Sequence, residues 1–113
     1  MNIHNMKLNG QPFRMIKSGR KTIELRLYDE KRRKLKIGDK IIFESLENGE
    51  KITVSVLALH IYESFAELYK HFDKVAMGYN DNETANPDDM NEYYTKENQI
   101  KYGVVGIEIS LDK

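Results

Sequence analysis

The chain has 113 residues, of which 40% are hydrophobic and 32% are charged, and its formal net charge is zero. These values predict one globular domain, residues 1–113, with a single modest core, and the zero net charge argues against a dedicated nucleic-acid binder. The lack of cysteine excludes disulfides, thiolate nucleophiles and cysteine-bound zinc. No apolar run reaches the roughly 18 residues that a membrane span requires, and no signal-peptide pattern is visible, so we expect a cytoplasmic protein without membrane contact.

The first third of the chain predicts a strand, a helix and a second strand. Residues 6–8 form the first strand, and Asn9 can cap a helix that ends in a glycine stop at Gly19. Residues 22–28 then alternate in polarity, which is typical of a strand with two different faces. The apolar face carries Ile23, Leu25 and Leu27, and the polar face carries Thr22, Glu24, Arg26 and Tyr28.

The middle of the chain predicts a hairpin followed by a helix. Residues 29–36 are polar and basic and form a loop or a short helical turn before a strand at 40–44. The pair Asn48-Gly49 favours a tight hairpin, after which residues 51–59 form the returning strand. Ser64 then caps a helix whose core side consists of Phe65, Leu68, Tyr69 and Phe72.

The last third predicts an exposed loop, helical segments and a closing strand. The loop covers residues 77–85, and a helix begins at Asn86-Pro87 and continues through Tyr94. Residues 95–98 begin a further turn, and residues 104–111 form the final strand. Five to six short strands, with helices after the first and the fourth, predict an α+β fold, a small mixed or antiparallel β-barrel whose open rim is covered by helices.

Charge is distributed unevenly along the chain. Residues 14–40 contain eleven basic and four acidic residues, a net charge of +7, whereas residues 73–97 contain two basic and seven acidic residues, a net charge of −5. The first segment predicts a basic side of the molecule that can meet phosphates. A solvated surface of mixed charge explains the same pattern equally well.

The polar face of the second strand carries the strongest candidate for chemistry. Glu24 and Arg26 are two residues apart and therefore project from one face, and Lys21 lies just before the strand. A carboxylate between an ammonium and a guanidinium is kept ionised and can help to bind a phosphate or a base edge, or take part in proton transfer. The alternative is an exposed cross-strand salt bridge, which contributes little.

The pattern Gly19-x-Lys21-x-x-Glu24-x-Arg26 is similar to the signature of the ASCH domain family in the PUA-like superfamily. The turn Ile37-Gly38-Asp39 and the ending Tyr102-Gly103-Val104 extend the similarity over most of the chain. The resemblance is to small single-domain members of bacterial or archaeal type. It implies a PUA-like barrel with a cleft between barrel and helices, which is lined by the lysine, glutamate and arginine of the motif, and a role in RNA metabolism or translation.

The first functional hypothesis is therefore a module that binds RNA, a nucleotide or a modified nucleoside in a basic cleft. Tyrosines near such a cleft can stack on a base, and Tyr28, on the face of Glu24 and Arg26, is the first candidate. No cofactor is expected, and the oligomeric state is left open. The predicted binding residues are Gly19, Lys21, Glu24, Arg26, Tyr28, Tyr94 and Tyr102.

Two enzymatic alternatives and a scaffold remain open. One family branch resembles an amidohydrolase that deacetylates 4-acetylcytidine, in which case Lys21 and Glu24 would be catalytic, although that branch has threonine at the position of Glu24. That branch also uses a glutamate further along the chain, and the nearest counterpart in this sequence is Glu67 or Asp73. Other members resemble metal-dependent ribonucleases, but no compact cluster in this sequence suggests a metal site. A scaffold would use the acidic residues 81–92 as a contact, and the same residues could instead cover the cleft as a lid.

Overall fold

The computed structural model describes residues 1–112, which form five strands, three α-helices and two short 3-10 helices. Among these residues, every helix is too short or too polar to cross a membrane. The 3-10 helices are Arg32–Lys34 and Pro87–Glu92. The other elements are β1 (Ile3–Leu8), α1 (Gly10–Lys17), β2 (Ile23–Leu27), β3 (Lys40–Ser45), β4 (Lys51–Tyr62), α2 (Phe65–Leu68), α3 (Lys96–Tyr102) and β5 (Val104–Leu111).

The five strands form one mixed sheet in the order β1-β3-β4-β5-β2. The β1–β3 pair is parallel and the other pairs are antiparallel. The first two strands of the chain therefore occupy opposite edges of the sheet, which curls into a half-barrel. Arg26 of β2 donates a hydrogen bond from Nη2 to the carbonyl oxygen of Lys7 in β1 at 3.0 Å, which joins the two edges. The predicted small mixed barrel with covering helices is confirmed.

The core has two clusters that share β5. The first lies between α1 and the sheet and includes Phe13, Ile41 and Phe43, whereas the second packs β2 against the chain that follows β4 and includes Leu68 and Met90. Each fully buried aliphatic or aromatic side chain contributes about 1.5–3 kcal/mol relative to exposure. The second cluster fixes the position of the helical segments over one end of the sheet.

Several predicted elements differ from the structure, and the first strand begins at Ile3 instead of Met6. β4 continues to Tyr62 past a register shift at Leu57, where the bulge interrupts the alternation that marks the strand in the sequence. The α2 helix has a single turn, although Ser64 caps it by accepting from the Glu67 amide at 3.1 Å. The predicted helix after Asn86 is a 3-10 helix that ends before Tyr93.

The segment predicted as an exposed loop, residues 77–85, is only partly exposed. Met77 is 3% exposed and belongs to the second core cluster, and the Tyr79 side chain packs against that cluster. The prediction failed because Met77 is followed directly by turn-forming residues, Gly78 and residues 80–82, which conceal one core side chain in the sequence pattern. This segment is part of the wall of the cavity described below.

Asp39, in the turn before β3, anchors the start of β1. Its carboxylate accepts hydrogen bonds from the amides of Asn2 at 3.1 Å and Lys36 at 3.0 Å, and Nε2 of His4 lies 2.8 Å from Oδ2. The Asn2 amide, followed by the His4 side chain, lowers the pKa of Asp39 from 3.8 to about 2. The carboxylate form is therefore favoured in the folded protein.

This anchor predicts an acid-dependent stability. Because the pKa of Asp39 is lower in the folded chain, its contribution is complete above the unfolded value of 3.8 and is lost as the pH falls toward about 2. We expect Asp39→Asn to lower the melting temperature at neutral pH and to flatten its decline over that acid range, as followed by circular dichroism. Glu63→Gln removes an exposed carboxylate and serves as the control. Identical acid profiles for Asp39→Asn and the wild type would show that the anchor contributes nothing.

Candidate functional site

The turn between α1 and β2 positions the polar side chains of the predicted motif. Gly19 has φ of +85°, and the amides of Arg20 and Lys21 both donate to the Met15 carbonyl at 3.0 Å, which closes the helix and reverses the chain. The amides of Thr22 and Ile23 then donate to one carbonyl, that of Ala76, at 2.9 Å. The start of β2 is thus attached to the chain that leads from α2 toward Met77.

Lys21, Glu24 and Arg26 form a buried ionic triad. Glu24 Oε1 lies 3.1 Å from Lys21 Nζ, and its Oε2 accepts from Arg26 Nε at 2.8 Å. The side chains of Lys21, Glu24 and Arg26 are 9%, 4% and 13% exposed, respectively. Their positions follow from the strand alternation, which places Glu24 and Arg26 on the same face.

Both carboxylate oxygens of Glu24 are stabilised by cations. Burial raises the pKa of Glu24, but the Lys21 ammonium and then the Arg26 guanidinium outweigh this effect, so that the pKa lies below the ordinary value of 4.5. Burial likewise acts to lower the pKa of Arg26, and the Glu24 carboxylate reverses the direction. Glu24 and Arg26 are therefore ionised at neutral pH, and the triad presents hydrogen-bond donors held in fixed positions.

The triad lines a cavity of about 530 Å³, and we call these three buried side chains the floor of the cavity. Residues of β1 and α1 also line the cavity, as do Tyr69 and several residues of the range 77–94, and we call residues 77–94 the roof segment. The volume is within the range of small-molecule sites, which is roughly 300–1,000 Å³. The cavity therefore has room for a nucleobase or a nucleoside.

Hydrogen bonds between side chains hold the roof segment in place. The hydroxyl groups of Tyr69 and Tyr79 are 3.0 Å apart, and Tyr79 donates to Asp89 Oδ2 at 2.7 Å. Burial raises the pKa of Tyr79 and of Tyr69, so both hydroxyl groups are protonated at neutral pH. The roof segment therefore offers phenol rings and carboxylate oxygens to the cavity.

Gly78 is the point at which the roof segment contacts the triad. Its φ is +109°, and a Cβ atom at this position would lie 3.0 Å from Cδ and 3.3 Å from Nζ of Lys21. The absence of a side chain at Gly78 therefore allows Lys21 to pack against the backbone of the roof segment while it reaches Glu24.

The cavity carries charges of both signs, so the expectation of a basic cleft is wrong. Lys7 adds one basic group to those of the triad, whereas the roof segment contributes three exposed carboxylates. The carboxylates oppose a phosphate in the cavity mouth, while the cations at the floor favour hydrogen-bond acceptors. These roof carboxylates are Glu83, Asp89 and Glu92.

The structure brings four of the seven predicted binding residues together. Lys21, Glu24, Arg26 and Tyr94 line the cavity, and the Tyr94 ring stacks on Phe65 with centroids 6.1 Å apart. Tyr69, Tyr79 and Tyr93 also line it, and no local sequence pattern singles them out from the other tyrosines of the chain. Their approach depends on contacts far apart in the chain.

The other predicted residues lie elsewhere. Gly19 forms the turn, the Tyr28 ring packs under the Arg33 guanidinium at 4.3 Å, and the Tyr102 ring has Lys101 Nζ at 5.1 Å. None of the three is among the residues that line the cavity. Tyr28 was expected beside Glu24 and Arg26, but it follows the end of β2, where the chain turns toward the first 3-10 helix.

Neither proposed counterpart of a further catalytic acid reaches the cavity. Glu67 pairs with Lys70 at the surface at 2.9 Å, and Asp73 accepts from the Val75 amide at 3.0 Å. Within residues 1–112, no group of three or more histidine, aspartate or glutamate side chains is arranged to hold a metal ion. The acids available to a ligand are Glu24 and those of the roof segment.

Comparison with known proteins identifies relatives over nearly the whole chain. A family model described as ASCH domain matches residues 6–112. The crystal structure of the hypothetical protein PH0355 is 35% identical, with a TM-score of 0.82, and the match covers 99% of this chain and 100% of that one. The solution structure of protein PF0455 from Pyrococcus furiosus is 35% identical, with a TM-score of 0.70 and 96% of each chain covered. No curated protein matches the chain.

Proposed function

The chain belongs to the ASCH domain family, and we propose that its cavity binds RNA or a nucleotide by enclosing a nucleobase. The family is generally linked to RNA binding, which supports the class of ligand. The observation that carries the proposal is the buried ionic triad at the floor of a cavity of about 530 Å³. Such a set of oriented charges beneath an open cavity is typical of a ligand site.

The polar groups of the cavity fit a base edge. Lys21 and Arg26 offer donors at the floor, and Asp89 offers carboxylate oxygens on the roof segment. A nucleobase presents both acceptors and donors along its edges, so one base can use both sides of the cavity. The rings of Tyr93 and Tyr94 add flat surfaces, and stacking on such rings contributes about 1–3 kcal/mol per base.

The roof carboxylates favour a base in the cavity over a phosphate. A phosphate inside the mouth would approach Glu83, Asp89 and Glu92 at a cost in like-charge repulsion. A base is neutral and avoids that cost. The ribose and the phosphates therefore remain outside, where the surrounding surface can contact them.

Lys21→Met tests this proposal. It removes the ammonium and keeps most of the apolar stem, and because a hydrogen bond from a charged group contributes about 1.5–3 kcal/mol, affinity should fall about 10- to 100-fold. Calorimetric titration with a panel of nucleosides and nucleotides at low salt measures the effect. A melting curve verifies that the variant is folded.

Lys17→Met is the matched control, because Lys17 pairs with Glu50 at the surface of α1 and does not line the cavity. It should bind nucleosides as the wild type does. Absence of binding to every base at low salt, or unchanged affinity in folded Lys21→Met, would contradict the proposal.

A second candidate is hydrolysis of a modified nucleoside such as 4-acetylcytidine. One observation favours it: Lys21 Nζ and Glu24 Oε1 are 3.1 Å apart at the floor of the cavity, a distance that permits proton transfer. The lowered pKa of Glu24 makes its carboxylate a weak base, which places this candidate second. Release of cytidine from 4-acetylcytidine, abolished in Lys21→Met, would establish it.

A further inference from the structure

We propose that the exposed cations Lys31, Arg33, Lys34 and Lys101, together called the cationic surface, bind the phosphate backbone of a single-stranded RNA. The proposal rests on the proposed function, since the base of one nucleotide would occupy the cavity while its neighbours lie across this surface. The cationic surface is separate from the cavity and shares none of its lining residues.

Ion pairing distinguishes this surface from the basic residues of α1 and of the turn that follows it. Arg14, Lys17 and Arg20 pair with Glu47, Glu50 and Asp81, respectively, so their charges are partly compensated. Within residues 1–112, the four cations of the cationic surface have no carboxylate within 4.0 Å.

Among the described residues, the acids near the surface, which include Glu97 four residues before Lys101 on α3, form no ion pair with its four cations. Asp29 lies 3.6 Å from Arg32 and is engaged by that side chain, and Glu30 is the one further acid in this stretch of chain. The uncompensated positive charge of residues 14–40 is thus concentrated on and beside the first 3-10 helix. This is the electrostatic property that phosphate binding requires.

The guanidinium of Arg33 is fixed before any ligand arrives. It stacks over the Tyr28 ring at 4.3 Å and donates from Nη2 to the Tyr102 carbonyl at 3.2 Å. The contact with Tyr102 brings the end of α3, and with it Lys101, next to the 3-10 helix. An arginine held in this way loses less side-chain entropy when it binds a phosphate oxygen than a free side chain does.

The surface is adjacent to the floor of the cavity. Tyr28, whose ring packs under the Arg33 guanidinium at 4.3 Å, lies only two residues after Arg26 in the chain, which brings the surface close to the triad. Arg32 Nε is buried without a hydrogen-bond partner among residues 1–112. A strand of RNA with one base in the cavity can therefore continue directly onto the 3-10 helix.

Removal of three charges from the surface tests the proposal. The variant K31Q/K34Q/K101Q keeps Arg33 and its packing, and all three lysines are exposed, so folding should be preserved. Binding of a labelled single-stranded RNA of about eight nucleotides is measured by fluorescence anisotropy at several salt concentrations. Loss of three phosphate contacts should reduce the slope of log K against log salt by about 2, with affinity at low salt about 10- to 100-fold weaker.

R14Q/K17Q/R20Q is the matched control, because it removes the same charge from ion-paired positions. It should leave the slope close to that of the wild type. An equal loss in both variants, or an unchanged slope in K31Q/K34Q/K101Q, would overturn the proposal. If single-stranded DNA of the same length binds with the same dependence on these charges, the result supports contacts to phosphates. If an acidic polypeptide binds as tightly as the RNA, the proposal of an RNA-binding surface is overturned in favour of a protein partner.

Free nucleosides separate this proposal from the proposed function. They should bind K31Q/K34Q/K101Q as tightly as the wild type, because the cavity is intact. If nucleosides bind and RNA gains no affinity from its additional phosphates, the cationic surface is refuted and the cavity stands. If RNA shows the predicted slope change but nucleosides do not bind, the cavity is refuted and the cationic surface stands.

Discussion

Replacement of Glu24 by alanine is expected to lower the melting temperature of the protein by about 12–20 °C. Glu24 is 3% exposed and provides both oxygens that pair with Lys21 and Arg26. Its removal leaves two buried cations without a carboxylate, and the loss of one partner from a buried ion pair costs about 3–5 kcal/mol. For a domain of this size, 1 kcal/mol corresponds to roughly 4 °C.

Glu47→Ala provides the comparison at an exposed ion pair. Glu47 Oε2 lies 2.6 Å from Arg14 Nη1, but the two side chains are more than half exposed. Such pairs contribute about 0–1 kcal/mol, so this variant should melt within roughly 4 °C of the wild type. If Glu24→Ala also melts within roughly 4 °C of the wild type, the triad contributes far less to stability than its burial implies.

Gly78→Ala is expected to impair both stability and ligand binding. At φ of +109° any side chain is strained, at a cost of about 1–3 kcal/mol. The new Cβ would also lie 3.0 Å from Lys21 Cδ, so the lysine that holds Glu24 must shift by a few tenths of an ångström. We expect a decrease of about 4–12 °C in melting temperature and a loss of about tenfold or more in nucleoside affinity.

Gly38→Ala serves as the control that separates the two effects of Gly78→Ala, which are backbone strain and displacement of Lys21. Gly38 has φ of +94°, and a Cβ there would meet no atom within 4 Å. It should lower the melting temperature by a similar amount and leave nucleoside affinity unchanged. Equal affinity losses in the two variants would show that strain, and not displacement of Lys21, controls binding.

The floor of the site could be predicted from the sequence because it is encoded locally. The period of a strand places Glu24 and Arg26 on one face, and Gly19 adopts the positive φ that its position at the end of a helix indicates. The final strand, Val104–Leu111, has the predicted bounds. These features depend on neighbours within a few residues.

The roof segment could not be predicted, since distant contacts determine it. The Ala76 carbonyl accepts from two amides more than fifty residues earlier in the chain, and Tyr79 meets Asp89 across a turn. Met77 is buried only because the chain folds back over β2. Likewise, no local pattern specifies the parallel pairing of β1 with β3, which sets the edges of the sheet.

Arg26 has a structural role in addition to its place in the cavity floor, because it joins β2 to β1 through the Lys7 carbonyl while it pairs with Glu24. A substitution that altered ligand preference at Arg26 would also open the gap between the sheet edges. Exposed residues of the roof segment such as Glu92 do not link the sheet edges. In evolutionary terms, new ligand preferences are therefore accessible by mutation of the roof segment, whereas the floor is constrained by the integrity of the barrel.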